Sequence, residues 1–138
     1  MAGNNTSPMS GYRVLLLDDD ADMRTLVEKY LSEQGCFVDT ATDGLKGLQI
    51  LMQKDFDVLL VDLRMPKMDG AQFIREVRKI WPWVGIVVTS GYIEDDQPRL
   101  QLLRDVGVSC FLPKPIVRSD LRKVVTEEAL ARRRRLEM

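Results

Sequence analysis

Acidic, hydroxyl and ammonium side chains stand directly after short apolar runs of this sequence. Two or three carboxylates held together repel each other at low dielectric, so such a site must either raise a pKa or bind a cation. A hard divalent ion, most simply Mg²⁺, suits oxygen ligands of this kind. The residues that follow the apolar runs are Asp18, Asp19, Asp62, Thr89 and Lys114.

Helix capping is the simpler explanation for any single aspartate at such a position. It accounts well for Asp20 and Asp22, which precede a helical pattern. Capping does not explain why a hydroxyl and an ammonium group follow two of the other runs. Carboxylates, a hydroxyl and a lysine together form a phosphoryl-binding set. The pattern therefore favours phosphoryl chemistry.

Histidine is absent from all 138 residues. This excludes Ser-His-Asp and Cys-His catalysis, zinc held by histidine, and a histidine phosphodonor. The chain could receive a phosphoryl group but could not supply one from histidine.

The elements that must position these side chains alternate between strand and helix. Continuous apolar runs predict buried strands, and apolar residues at i, i+3, i+4 and i+7 predict helices. Five such β–α units predict an α/β fold with one doubly wound parallel sheet, whose ligands lie beyond the carboxyl ends of the strands. The predicted strands are 13–17, 36–41, 58–61, 85–88 and 108–112, and the helices begin near Met23 (with Asp22 as N-cap), 44, 73, 97 and 119.

Four motifs, in order and each at a strand end, carry a resemblance to a known family. From residue 12 to about 131 the chain resembles the receiver domain of two-component response regulators, which implies a flavodoxin-like (βα)5 sheet of order 2-1-3-4-5. The motifs are Val14-Leu-Leu-Leu-Asp18-Asp19, the run from Asp57 to Gly70 containing Asp62-Leu-Arg-Met-Pro66, then Val87-Val-Thr89-Ser-Gly-Tyr92, and Phe111-Leu-Pro-Lys114-Pro115.

The resemblance implies a role for each site residue. Asp62 would be the phosphoacceptor, and Thr89 and Lys114 would contact the phosphoryl group. Mg²⁺ would be held by Asp18, Asp19, Asp62 and the backbone carbonyl of Arg64. In such domains Lys114 and Pro115 are usually joined by a cis peptide.

A switch follows from the same resemblance, and the position and charge of Arg64 suggest a control on its timing. The Thr89 hydroxyl would move toward a phosphoryl group, and the Phe111 ring would respond by packing alone because it lacks a hydroxyl. The Arg64 side chain is long enough to hinder the water that hydrolyses the product, although a solvated loop charge explains it equally well.

The implied function is phosphoacceptance in a two-component phosphorelay. A sensor histidine kinase or a histidine phosphotransfer protein would be the donor, and the domain would be a timed switch rather than an enzyme with an external substrate. A receiver excised from a hybrid histidine kinase is an open alternative.

A Mg²⁺-dependent phosphohydrolase is disfavoured, because Asp22 stands where the haloacid-dehalogenase motif needs Thr or Val. Calcium binding fails because Met23 and Lys29 stand where an EF-hand needs Gly and Glu.

Charge and the chain ends complete the expectations. The chain has 20 basic and 21 acidic residues; without 132–138 the net charge is −4, from 16 basic and 20 acidic residues. We expect a disordered leader at 1–11, a receiver domain at 12–131 and a basic tail at 132–138. The tail is interpreted as a solvated helix end or the start of a linker rather than a nucleic-acid site. The absence of a signal peptide and of a membrane-length apolar run predicts a cytoplasmic location with no membrane contact.

The two cysteines, Cys36 and Cys110, should not form a disulfide, because they would lie roughly 19 Å apart across the sheet.

Overall fold

The computed structural model describes residues 9–137, which form five strands alternating with five helices. Each predicted strand and helix is present, with ends that differ by a few residues. The strands are β1 (Arg13–Leu17), β2 (Phe37–Ala41), β3 (Val58–Asp62), β4 (Gly85–Ser90) and β5 (Cys110–Pro113). The helices are α1 (Ala21–Glu33), α2 (Gly44–Leu51), α3 (Gly70–Ile80), α4 (Gln97–Asp105) and α5 (Arg118–Glu137).

The strands form one parallel sheet in the order β2-β1-β3-β4-β5. This confirms the predicted doubly wound α/β fold. Strands β3 and β4 are buried at every position, as expected for strands covered on two faces, whereas the edge strands β2 and β5 are partly exposed. All five strands point the same way, so their carboxyl ends share one edge of the sheet.

Alternate residues of each central strand face opposite apolar layers. Leu15 and Leu59 pack with α2, α3 and α4 on one face, whereas Leu16 and Leu60 pack with α1 and α5 on the other. Each fully buried leucine contributes about 1.5–3 kcal/mol relative to exposure. Two such layers hold the strand ends in fixed relative positions.

The first helix begins earlier than predicted. The N-cap is Asp20 rather than Asp22: the Asp20 carboxylate accepts hydrogen bonds from the backbone N–H groups of Asp22 and Met23, at 3.0 and 3.2 Å. Asp20 has the extended backbone that an N-cap requires, and Asp22 lies in the first turn, where a negative charge suits the helix dipole.

The predicted apolar faces of two helices are wider than the buried ones. Leu26 of α1 and Ile80 of α3 are 62% and 57% exposed. The neighbouring helical positions Val27, Leu31 and Val77 are buried instead. Periodicity identifies the side of a helix that faces the sheet, but the width of the contact depends on how closely the helix packs.

Described residues near both chain ends pack onto the domain or continue its last helix. Met9 is fully buried in the layer beneath α1 and α5, and its carbonyl accepts a 3.2 Å hydrogen bond from the N–H of Tyr12. The first eight residues of the expected leader lie outside the described residues. At the other end, α5 continues to Glu137, so 132–137 belong to the last helix and the expected boundary falls inside it.

Two arginines of that basic segment bind a buried aspartate at the start of β3. Asp57 accepts from Arg132 Nη1 at 3.0 Å, from Arg133 Nε and Nη2 at 3.1 Å each, and from the backbone N–H of Arg13 at 2.9 Å. Burial would raise the pKa of Asp57, but the hydrogen bonds and charges of these partners outweigh it and lower the pKa. The segment is therefore anchored to the sheet.

The cysteines are free thiols, as expected. Cys36 precedes β2 and Cys110 begins β5, at opposite edges of the sheet. Burial, together with nearby negative charge, raises the pKa of each thiol to about 11. Within residues 9–137, no helix has the length and apolar character needed to cross a membrane.

Candidate functional site

The carboxyl edge of the sheet brings the predicted site residues together. Asp18 follows β1, Asp62 ends β3, and Thr89 lies opposite Asp62 in the register of β3 and β4. Lys114 follows β5, and its backbone N–H donates to the Ser90 carbonyl at 2.8 Å. Strand pairing thus places an acid, a hydroxyl and an ammonium group side by side, although they are up to 96 residues apart in the chain.

Lys114 is the positive centre of the site. Its Nζ atom lies 3.0 Å from Asp18 Oδ2 and 3.2 Å from Asp62 Oδ2. The side chains of Asp18 and Asp62 are 2% and 7% exposed, so these ion pairs are largely shielded from water. Burial would lower the pKa of Lys114, but its hydrogen bonds to the two carboxylates and their charges raise it. Lys114 is therefore charged at neutral pH.

The Asp62 carboxyl group ionises at a higher pH than an ordinary aspartate. Burial raises its pKa to about 6, the charge of Asp18 adds to the rise, and Lys114 opposes it. One ammonium group cannot fully neutralise two buried carboxylates. A further cation at this edge would favour the ionised form of Asp62.

Three carboxylates are close enough to share such a cation. Oxygen atoms of Asp18, Asp19 and Asp62 all lie within 4.8 Å of one another. Asp18 and Asp62 are buried whereas Asp19 is exposed, so an ion could be reached from solvent. Carboxylate oxygens at an edge open to solvent suit Mg²⁺, which takes hard oxygen ligands and keeps several waters. The residues present therefore fit a magnesium ion.

Local hydrogen bonds orient the acidic residues before any ion binds. Asp18 Oδ1 accepts from the backbone N–H of Asp20 at 2.9 Å, while its Oδ2 accepts from Lys114. Asp62 Oδ1 accepts from the backbone N–H of Arg64 at 3.2 Å. The main chain of Arg64 is thus held against the Asp62 carboxylate, on the loop predicted to offer its carbonyl oxygen as a ligand.

The Lys114–Pro115 peptide bond is cis, as the family resemblance implied. The aromatic residue proposed as a switch lies nearby. Phe111 pairs with Val88 in the register of β4 and β5, immediately before the Thr89–Leu112 pair. Its ring is partly buried against the apolar layer of α4, and the guanidinium carbon of Arg104 lies 5.0 Å from the ring centroid.

The Arg64 side chain is not a freely solvated loop charge. Its Nη2 donates to Asp96 Oδ1 at 3.1 Å, and its guanidinium carbon lies 4.1 Å from the centre of the Tyr92 ring. Ser90 Oγ donates to Asp96 Oδ2 at 2.6 Å, and the Tyr92 N–H donates to Ser90 Oγ at 2.9 Å. These contacts join the loop after β3 to the loop after β4.

Sequence reasoning missed Ser90, Tyr92 and Asp96 as site residues. Asp96 occupies the N-cap position of α4, next to the helix start predicted near residue 97. Its pairing with Arg64 spans 32 residues and depends on side-chain directions in two loops. Nothing in the spacing of these residues indicates that contact.

Comparisons with known proteins identify the family of this chain. The family model for the response regulator receiver domain matches residues 14–126. The chain therefore belongs to the response regulator receiver domain family, the signalling switches of two-component systems.

Individual relatives are similar over most of the chain. It is 34% identical over 125 residues to transcription factor SKN7 of Saccharomyces cerevisiae, covering 90% of this chain and 20% of that protein. It is 35% identical over 104 residues to a response regulator receiver protein of Anaeromyxobacter sp. (strain Fw109-5), covering 75% of this chain and 43% of that protein. The chain thus spans less than half the length of these two relatives.

Solved structures share the fold. A response regulator receiver domain protein from Clostridium thermocellum superposes with a TM-score of 0.82 at 27% identity, covering 92% of this chain and 99% of that one. A chemotaxis response regulator CheY4 of Vibrio cholerae gives 0.78 at 29% identity, covering 86% and 99%.

Proposed function

We propose that this chain is a phosphoacceptor receiver domain that takes a phosphoryl group from a partner phosphohistidine onto Asp62 in a Mg²⁺-dependent reaction. The observation that supports this most directly is the contact of Lys114 Nζ with two buried carboxylates beside Asp19. A lysine and a cation site flanking one buried carboxylate suit the transfer of an anionic group to that carboxylate.

Each residue has a role in the proposed transfer. Asp18, Asp19, Asp62 and the Arg64 backbone carbonyl would hold Mg²⁺, which supplies charge neutralisation between the carboxylate and the incoming phosphoryl group. Lys114 takes up charge on the phosphoryl oxygens. The Thr89 hydroxyl donates a hydrogen bond to another of these oxygens.

The bonds exchanged are one P–N and one P–O. An Asp62 carboxylate oxygen attacks phosphorus in line, and the bond from phosphorus to the partner's imidazole nitrogen breaks. That nitrogen keeps the electron pair and takes a proton from water. Asp62 must be ionised to attack, and its pKa near 6 leaves it mostly ionised at neutral pH. The product is an aspartyl phosphate, a mixed anhydride that water can hydrolyse at the same site. The domain would catalyse only its own phosphorylation and dephosphorylation.

The phosphoryl group would alter a partner-binding surface. Attraction of the Thr89 hydroxyl to the phosphoryl group would leave space that the Phe111 ring can fill, changing the face formed by α4, β5 and α5. A sensor histidine kinase or a histidine phosphotransfer protein is the proposed donor. We place the reaction in the cytoplasm, with no direct contact of this domain with nucleic acid or membrane.

The response that phosphorylation would control depends on the full-length protein that contains this domain. Because relatives include transcription factors several times longer than this chain, a DNA-binding output elsewhere in the protein is one proposal. A receiver within a hybrid histidine kinase is the other. Either assignment keeps residues 12–131 as the receiver unit, with the last helix continuing beyond it.

The test is phosphorylation by a small acyl phosphate with Mg²⁺, followed by intact mass measurement. Wild type and Asp55→Asn, which alters an exposed aspartate, should gain one phosphoryl group, whereas Asp62→Asn should gain none. Equal labelling of Asp62→Asn would overturn the assignment. A colorimetric phosphatase assay separates the alternative, since turnover of an external phosphoester would indicate a hydrolase.

A further inference from the structure

The pairing of Arg64 with Asp96 occupies a position between the acceptor site and helix α4. Arg64 follows Asp62 by two residues, and its backbone N–H touches the Asp62 carboxylate. Its guanidinium group, however, binds Asp96 at the start of α4 and stacks on Tyr92. The main chain of Arg64 thus faces one carboxylate and its side chain another.

The buried negative charge of Asp96 is compensated by this pairing with Arg64. Its side chain is 3% exposed, whereas that of Arg64 is 47% exposed. Among residues 9–137, each Asp96 oxygen has one hydrogen-bond partner, Arg64 for Oδ1 and Ser90 for Oδ2. Although Asp96 is at the N-cap position of α4, its side chain makes no capping hydrogen bond. A buried carboxylate that loses its cation is strongly destabilised, so the start of α4 would have to rearrange if Arg64 left.

We propose that Asp96 is a positioning residue that holds Arg64 away from Asp62, and that a phosphoryl group on Asp62 competes with Asp96 for the Arg64 guanidinium. The inference rests on the proposed phosphorylation of Asp62. A phosphoryl group carries more negative charge than a carboxylate and accepts a bidentate pair from arginine. It would lie beside the residue that already donates to Asp62.

The consequence is a coupling between two sites. Capture of Arg64 by the phosphoryl group removes the cation from Asp96 and frees its carboxylate at the start of α4. A second ion pair, Arg99 Nη2 to Asp69 Oδ2 at 3.4 Å, joins α4 to the start of α3. Coupling between sites is reciprocal, so weakening the Arg64–Asp96 pair must strengthen phosphoryl binding.

Substitutions separate this competition from a merely structural role. Asp96→Asn keeps the side-chain shape and a hydrogen bond to Ser90 but removes the charge that attracts Arg64. Arg64→Gln removes the guanidinium group for which Asp96 and the phosphoryl group would compete. Asp95→Asn removes the adjacent exposed negative charge and serves as the matched control.

The measurement is the apparent affinity for beryllofluoride at fixed Mg²⁺, determined by calorimetry for each variant and for the double variant Asp96→Asn/Arg64→Gln. Asp96→Asn should bind about fivefold more tightly than wild type. The same substitution in the Arg64→Gln background should have no effect, and Asp95→Asn should match wild type. The NMR signal of Arg64 Nε should shift on adding beryllofluoride to wild type, and should already be shifted toward solvent-like values in Asp96→Asn alone.

The outcomes distinguish this inference from the proposed function. Failure of wild type to bind beryllofluoride, together with no phosphorylation of Asp62, would overturn both. Normal binding by wild type with unchanged affinity in Asp96→Asn would overturn the inference only. An equal gain in the presence and absence of Arg64 would also reject it, because the effect would then not pass through Arg64.

Discussion

Asp62 and Thr89 are direct partners across strands β3 and β4, and the backbone N–H of Leu63 donates to the Thr89 carbonyl at 2.9 Å. The main chain around Thr89 is therefore held against the acceptor strand. A response of residue 89 to a new charge on Asp62 must therefore come from its side chain. This relationship makes the Thr89 hydroxyl the expected first element of signal transmission.

We expect Thr89→Ala to weaken that transmission. Without the hydroxyl, a phosphoryl mimic on Asp62 should no longer draw residue 89 toward it, and the Phe111 ring should keep its position. Amide chemical shifts of residues 90–125, measured with and without beryllofluoride, should change less than in wild type. Thr25→Ala, at an exposed position on α1, is the control. Identical shift changes in Thr89→Ala and wild type would show that the hydroxyl does not couple the two regions.

The second prediction concerns the metal. Asp19→Asn should lower Mg²⁺ affinity about tenfold, because it removes one charged oxygen from a site whose affinity depends on charge. Asp22→Asn, in the first turn of α1, should bind as wild type does. Calorimetry is the appropriate measurement, since both tryptophans, Trp81 and Trp83, lie beyond the other end of α3. Equal affinities in all three proteins would place the ion elsewhere.

The third prediction concerns the lifetime of the phosphorylated state. Arg64→Ala should accelerate hydrolysis of the aspartyl phosphate about tenfold, because a charge-assisted hydrogen bond to the phosphoryl group would be lost and water would approach more easily. Phosphorylation itself should persist. Radiolabel decay would be compared with that of Arg75→Ala, at an exposed position on α3. An unchanged half-life would mean that Arg64 remains with Asp96 after phosphorylation.

The fourth prediction is a pH dependence of stability. Asp57→Asn should lower the free energy of unfolding at neutral pH by about 1–3 kcal/mol, because hydrogen bonds to Arg132 and Arg133 are weakened. The pKa of Asp57 is lowered in the folded protein, so its contribution exists above the ordinary value of 3.8 and is lost as the pH falls below it.

Denaturant melts at several pH values check this. The difference between wild type and Asp57→Asn should be constant from pH 5 to 7 and shrink below about pH 4. Asp55→Asn, exposed two residues earlier, should show no such difference. A gap that persists at low pH would mean that packing, rather than the ion pairs, accounts for the effect.

Sequence reasoning located the strands and the carboxyl-edge residues because both depend on local signals. A parallel strand buried on two faces must be apolar throughout, and the residue that follows it, such as Asp18, must lie at the common edge. The contact of Asp96 with Arg64 has no local signal, since it depends on side-chain directions in two separate loops. The same is true of Asp57, whose arginine partners come from the other end of the chain. Leu26 shows the remaining gap: periodicity does not indicate how wide the buried face of a helix is.

The anchoring of Arg132 and Arg133 to Asp57 makes helix α5 a lever with its pivot at the start of the central strand β3. The helix has 20 residues and is about 30 Å long. Its opposite end follows Lys114 and Pro115, next to the acceptor site. A tilt of about 5° around Asp57 would displace that end by roughly 2 Å. Motion of α5 should therefore be largest near Lys114 and smallest at the arginines. A partner bound at the start of α5 should sense phosphorylation far more strongly than one bound at its end.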